Sequence, residues 1–420
     1  MVVRDVLDTG LRLMTEAIPH VRSVSIGVWL ARGSRHEGEA WPGIAHFVEH
    51  MLFKGTESRS AEDIAQSVDS IGGQMDASTG KENANYSMKV LDEHLPIAVD
   101  ILSDIVLRPR FADEDVQREK NVVVEEIKMV EDTPDDLVHE LFLQRFWGGH
   151  PLGNPILGTR ESIEALTSAS LREYFAEAYT AGNLMVAAAG NLQHAQVRAL
   201  VEQAFAGVSR AGKLPVDTPP TGAPLVLVRN KDLEQSHICL GGPAYPQNHA
   251  ERYAALVFNT VLGGSMSSRL FQNVREKRGL AYSVGSGLSA FRDAGLISIY
   301  AGCANERVGE VVGVIIQELR QLVDAPISAS ELQRAKDNVK GSLLMGLEST
   351  WHRAAYLARQ EMYFDRMYTI DETIAGIVAV TVTDVSRVAR YLLATAPLSI
   401  AVLGSVNGWT IAQEELRVAP

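Results

Sequence analysis

The stretch "FADEDVQREKNVVVEEI", beginning at Phe111, returns in altered form as "ISASELQRAKDNVKGSL", beginning at Ile327. Laid over one another, Gln117-Arg118 meets Gln333-Arg334, Lys120 meets Lys336, and Val123 meets Val339. An apolar helical stretch precedes each copy ("LPIAVDILSDIVL" and "VGEVVGVIIQELRQLV"), and each half closes on a strand ending in glycine, at Gly190 and Gly404. A repeat of this length implies two similar domains, each with its own core, and 420 residues are enough to supply both. Residues 209–228, crowded with Pro215, Pro219, Pro220 and Pro224, read as the linker, because proline removes backbone donors and holds the chain extended. The expected domains are therefore 1–208 and 229–420.

Within a half, strands and helices alternate without a regular βαβ rhythm. "SVSIGVWLARGS" and "NANYSMKVL" alternate as strands, whereas "AEDIAQSVDSIGG" reads as a helix stopped by Gly72-Gly73. The expectation is an α+β fold, two homologous domains that each carry a mostly antiparallel sheet flanked by helices.

"GIAHFVEHMLFKGT", residues 43–56, places His46, Glu49 and His50 on one helical face. Two neutral imidazoles one turn apart suit zinc, and a carboxylate beside them can take a proton from water activated by the ion. The pattern is HxxEH, the inverse of HExxH. Such a short pattern also arises by chance, so a third ligand is needed. On the charge-rich segment "EDVQREKNVVVEEIKMVED", residues 114–132, Glu119 and Glu126 share a face two turns apart. Glu126 is the candidate third ligand and Glu119 a candidate orienting acid behind a histidine. At the repeat's spacing these two fall on Ala335 and Ser342, and His46, Glu49 and His50 fall near Leu262, Ser265 and Met266. The second copy thus keeps the scaffold without the ligands, as expected of one working half and one supporting half.

Charge and composition narrow the class further. A net charge of −13 argues against a nucleic-acid partner, which needs a basic surface. Cys239 and Cys303 sit in apolar surroundings and have no metal-ligand spacing. "MVVRDVLDTG" carries Asp5 and Asp8 where a secretory signal needs an apolar run, and no stretch is apolar enough to span a membrane. The expectation is a soluble, cytoplasmic protein that binds neither membrane nor nucleic acid.

With these blocks in order, "HFVEHMLFKGT", "REKNVVVEEI", "HPLGNPILGT" and "GGSMSSRLFQNVREKRGLAYSV", essentially the whole chain resembles the pitrilysin-type zinc peptidases, the inverzincins. It is most similar to the branch of the mitochondrial processing peptidase and its short bacterial relatives. The resemblance implies Zn2+ held by His46, His50 and Glu126, with Glu49 as the base and Glu119 behind a ligand. It implies that Arg275 and Tyr282, seven apart, contact the substrate backbone and reacting carbonyl, as a guanidinium and a phenol are suited to do. It implies that "DASTGKE" holds an edge strand, where Ala77, Ser78 and Thr79 pair with a peptide by β-addition; Asp76 stands where the family often has Asn. "VLGGSMSSRL" does not match the longer glycine-rich loop of the processing peptidase's partner subunit. The implied assembly is a homodimer closing a clamshell chamber, with Arg275 and Tyr282 reaching the metal from the partner chain. The implied activity is zinc-dependent endopeptidase cleavage of short or unfolded peptides. The alternative is a subunit of the same fold that is non-catalytic or depends on a different partner. His139, His150 and His237 are read as structural.

Overall fold

The computed structural model describes residues 2–210, 216–364, 366–406 and 408–419. In the first half the strands are β1 Val2–Val6, β2 Arg12–Ala17, β3 Ser23–Leu30, β4 Gln74–Thr79, β5 Ala84–Leu91 and β6 Leu184–Gly190. The helices are α1 Ile44–Leu52, α2 Ala61–Asp69, α3 Leu95–Leu107, α4 Asp113–Asp132, α5 Pro134–Phe146, α6 Arg160–Ala165, α7 Ser168–Ala178 and α8 His194–Ala204. The second half holds β7 Val226–Asn230, β8 Gln235–Ala244, β9 Ala281–Ala290, β10 Gly295–Ala304 and β11 Ser399–Gly404. Its helices are α9 Arg252–Leu262, α10 Val308–Asp324, α11 Ala329–Gly346, α12 Thr350–Tyr363, α13 Ile370–Ala379 and α14 Val382–Ala394.

The expected α+β architecture is present. One sheet runs β1-β2-β6-β3-β5-β4 and the other β7-β11-β8-β10-β9. All neighbours are antiparallel except β2 with β6 and β7 with β11. Matching β2, β6, β3, β5, β4 to β7, β11, β8, β10, β9 superimposes the two strand orders, parallel pair included, so the duplication is visible in the topology. β4 and β9 are the corresponding edge strands.

The duplication also corrects one detail of the sequence alignment. The counterpart of α1 is α9, which follows β8 after a shorter connection (245–251) than the one from β3 to α1 (31–43). A constant spacing therefore carries His46, Glu49 and His50 to the end of α9 and past it. On α9 itself, "RYAALVFNTVL", there is no histidine or acid, and the conclusion that the second copy lacks ligands is unchanged.

The central strands of each sheet are buried on both faces, and the second face is covered by a helix from the other half of the sequence. Along β3, Val24, Ile26, Val28 and Leu30 enter the core with α1 and α3. The opposite face, Trp29 with Met14, Met185, Ala187 and Ala189, packs on Ala354, Leu357 and Ala358 of α12. Trp351 stacks on Trp29 with ring centroids 5.6 Å apart. Reciprocally, Leu137, Val138, Phe142 and Phe146 of α5 cover Cys239, Leu296, Ala401 and Leu403 of the second sheet. The compact units are accordingly 1–129 with 154–216 and 345–367, and 130–153 with 217–344 and 368–420. A single cut at 209–228 does not describe them. Of that expected linker, residues 211–215 lie outside the described residues, and its last residues form the start of β7. Among the described residues no helix is long and apolar enough to cross a membrane.

Candidate metal centre

The site is built on α1, whose start has no capping side chain of its own. Its N-cap is Gly43, at φ 89°, where a Cβ would stand 2.6 Å from the carbonyl oxygen of Leu157. Only glycine fits both demands. The cap comes from Glu37, whose two carboxylate oxygens accept from the backbone N–H groups of Gly43 and Ala45, each at 2.8 Å. Burial pushes the Glu37 carboxyl up to about 8 despite those two bonds.

His46 and His50 lie one turn apart on α1, with ring centroids 4.5 Å apart. Glu126 reaches them from α4, its Oε2 lying 3.6 Å from the Nε2 atoms of both histidines. Those separations are too long for hydrogen bonds. They are close to the roughly 3.3 Å between ligand atoms on a tetrahedral ion with bonds of about 2.0–2.1 Å. Among the described residues this is the one group of three or more His, Cys, Asp or Glu side chains whose donor atoms all lie within 4.8 Å of one another. Two imidazole nitrogens and a carboxylate oxygen facing one point fit a zinc-like ion.

The surroundings tune these donors differently. Burial pushes the His46 imidazole down to about 4, with the neighbouring His50 adding to the effect, so a lone pair is available on it at neutral pH. The His46 Nδ1 is buried without a hydrogen-bond partner. Burial also disfavours charge on His50, but the 2.7 Å contact of its Nδ1 with Glu119 Oε1, with the other nearby carboxylates, reverses the shift and raises it. Glu119 is only 3% exposed, and its other oxygen lies 2.7 Å from Lys54 Nζ. Burial opposes ionisation of Glu119, but His50 and Lys54 outweigh it and hold the carboxyl below its usual range.

Glu49 points from α1 toward β4, where its Oε2 accepts a hydrogen bond from the Thr79 hydroxyl. Burial raises the Glu49 carboxyl, Thr79 and His50 oppose the shift, and Glu126 and Asp76 add to it. A recess opens here, lined by Glu49, His50, Phe53, Lys54, Met75, Asp76, Ala77 and Glu119. Among the described residues β4 is the last strand of its sheet, paired with β5 on one side only. Ala77, Ser78 and Thr79 therefore stand on a free edge beside the donors. Ser78 also accepts a hydrogen bond from Asn85 on β5.

Arg275 and Tyr282 belong to the second unit. The Arg275 guanidinium lies 4.4 Å from the Tyr282 ring centroid and 4.8 Å from that of Phe271, and its Nη1 donates to the Tyr282 carbonyl at 3.1 Å. Tyr282, near the start of edge strand β9, is 76% exposed. The spacing of seven brings the pair into contact. His139 Nδ1 lies 3.4 Å from Cys239 Sγ, His237 bonds the Tyr300 hydroxyl at 2.9 Å, and His150 bonds the Thr218 carbonyl at 2.9 Å. Three contributors carried no usable signal in the sequence: Glu37 as a cap, Lys54 against Glu119, and the Thr79 side chain on Glu49. Lys54 and Thr79 act across a long stretch of chain, and Glu37 acts from outside the helix it caps, whereas spacing reads only near neighbours on one element.

Comparison with known proteins shows the family to which the chain belongs. Residues 12–160 match the insulinase family, peptidase family M16, and residues 165–339 match the peptidase M16 inactive domain. The second assignment accords with the missing ligands on α9 and α11. The chain is 41% identical over 419 residues to an uncharacterized zinc protease of Mycobacterium tuberculosis, covering 99% of this chain and 95% of that protein. It is 42% identical over 392 residues to the uncharacterized zinc protease YmxG of Bacillus subtilis, covering 93% and 96% respectively. Two solved structures share the fold: the peptidase M16 inactive domain from Pseudomonas fluorescens (TM-score 0.91, 23% identity, 98% of this chain and 99% of that one) and a protease from Helicobacter pylori (TM-score 0.90, 22%, 96% and 99%). Matching both domain types in order, and two-fifths identical to its relatives almost end to end, the chain belongs to peptidase family M16, the insulinase family.

Proposed function

We propose that the chain is a zinc metalloendopeptidase that hydrolyses short or unfolded peptides. The observation that carries this reading is the His46, His50 and Glu126 donor set standing beside Glu49 at an unpaired sheet edge. The name zinc protease borne by relatives supports zinc as the ion. Zinc, when bound, supplies the Lewis acidity that brings a water's pKa toward neutrality and polarises a carbonyl. Glu49 takes the proton of the attacking water at its carboxylate and returns it to the leaving amine. Thr79 holds that carboxylate by its second oxygen, and Glu119 fixes the ring of His50 through Nδ1. A peptide laid along β4 pairs with the backbone at Ala77, Ser78 and Thr79, which brings its scissile carbonyl beside Glu49.

Arg275 and Tyr282 complete the site in this reading as donors to the peptide backbone and the developing oxyanion. They are supplied by the second unit of a partner chain in a homodimer that closes as a clamshell chamber. The exposure of Tyr282, and the bracing of its ring by Arg275, are what such a role needs. The recess is lined by the carboxylates of Glu49, Asp76 and Glu119, which suits a peptide better than a phosphate backbone, and the cytoplasm is the proposed compartment.

The test is to purify wild type and Glu49→Gln and assay both on a mixture of unstructured peptides. The expected result is cleavage by wild type alone, with kcat in Glu49→Gln reduced by at least about 10^2-fold. Zinc retained by both with cleavage by neither would favour the alternative of a subunit that needs a different partner chain.

A further inference from the structure

We propose that Lys54 is a positioning residue for the metal centre, acting on His50 through Glu119. The inference rests on the metal reading above and adds a residue to it. Lys54 is fixed on both sides. Its backbone N–H donates to the Met51 carbonyl in the closing turn of α1 at 3.1 Å. The next two residues are pinned to other elements: the Gly55 carbonyl accepts from Arg110 N at 3.0 Å, and the Thr56 hydroxyl donates to the buried Asp104 at 2.7 Å. The same Asp104 also accepts from Ser58, Arg59 and Arg108, so this anchor is held from several directions.

From that fixed backbone the ammonium lies 2.7 Å from Glu119 Oε2, while Glu119 Oε1 lies 2.7 Å from His50 Nδ1. The two carboxylate oxygens thus have one partner each. A carboxylate 3% exposed, left with one partner, would be free to turn toward whatever donor remained. With Lys54 in place its plane is set, and with it the direction in which His50 presents Nε2 toward the point shared with His46 and Glu126. A lysine that served only to pair a surface acid would be exposed together with its partner; here the acid is buried and the lysine lines the recess beside it.

Zinc affinity, measured by competition with a chromogenic chelator on the full chain, tests this without reference to turnover. Lys54→Met is expected to weaken zinc binding by about 10-fold, the low end of the range for partners of metal ligands. Lys54→Arg, which keeps a donor to Oε2, is expected to retain most of the affinity. In a Glu119→Gln background, Lys54→Met is expected to add nothing, because the link it acts through is gone. Wild-type affinity in Lys54→Met, or the same loss in both backgrounds, would overturn the inference and leave the metal reading standing. A wild-type chain that binds no zinc would overturn both.

Discussion

At the residue scale, two histidines of one helix turn have opposite environments. His46 is buried with a second imidazole against it, and His50 is held by Glu119. In the metal-free chain, NMR titration should show His46 neutral until about pH 4, and His50 taking its proton above its ordinary value of 6.5. The sign follows from linkage. The folded value of His46 lies below its unfolded value, so its contribution to stability is present above pH 6.5 and fades as pH falls toward about 4. Coincident titration of the two rings would contradict this account of the site's electrostatics. The grouping of these side chains was legible in the sequence because helical spacing fixes which of them share a face: His46, Glu49 and His50 on α1, Glu119 and Glu126 on α4. Lys54 and the hydroxyl of Thr79 were not legible, because their partners sit 65 and 30 positions away (119 less 54; 79 less 49) on other elements.

At the element scale, α1 depends on Glu37. A helix that starts at a glycine with no capping side chain needs its first N–H groups satisfied from outside, and the two oxygens of one buried carboxyl group do so twice. Glu37→Gln keeps the shape but turns an NH2 group toward one of those N–H groups. It should cost about 1–3 kcal/mol of stability in denaturant unfolding and lower zinc affinity together with it. Unchanged stability would mean that α1 is capped otherwise. The duplicated elements show how far sequence comparison carries. α4 and α11 begin at matching points of the repeat, but the shorter connection before α9 defeats any fixed spacing, so the counterparts of His46, Glu49 and His50 fall at the last residue of α9 and beyond it.

At the scale of the whole molecule, the repeat made two sheets legible, yet gave no sign that α5 and α12 each cross to the sheet of the other half. Both have an apolar face, and an apolar face does not name the surface it will cover. The exchange has a consequence for stability. Residues 1–208 alone would leave Met14, Trp29 and Met185 without α12, and would expose Leu137, Phe142 and Phe146 of α5. Expressed separately, 1–208 and 229–420 should aggregate or lack a cooperative unfolding transition, and co-expression should restore a folded complex; cooperative unfolding of either fragment alone would contradict the exchange. The central claim, that one chain carries one zinc site in its first unit, is tested most directly by anomalous scattering from crystals of the zinc-loaded protein on the two sides of the zinc edge. The account requires a peak about 2.0–2.2 Å from His46 Nε2, His50 Nε2 and a Glu126 carboxylate oxygen. A zinc peak elsewhere in the chain, with none between these three side chains, would contradict it.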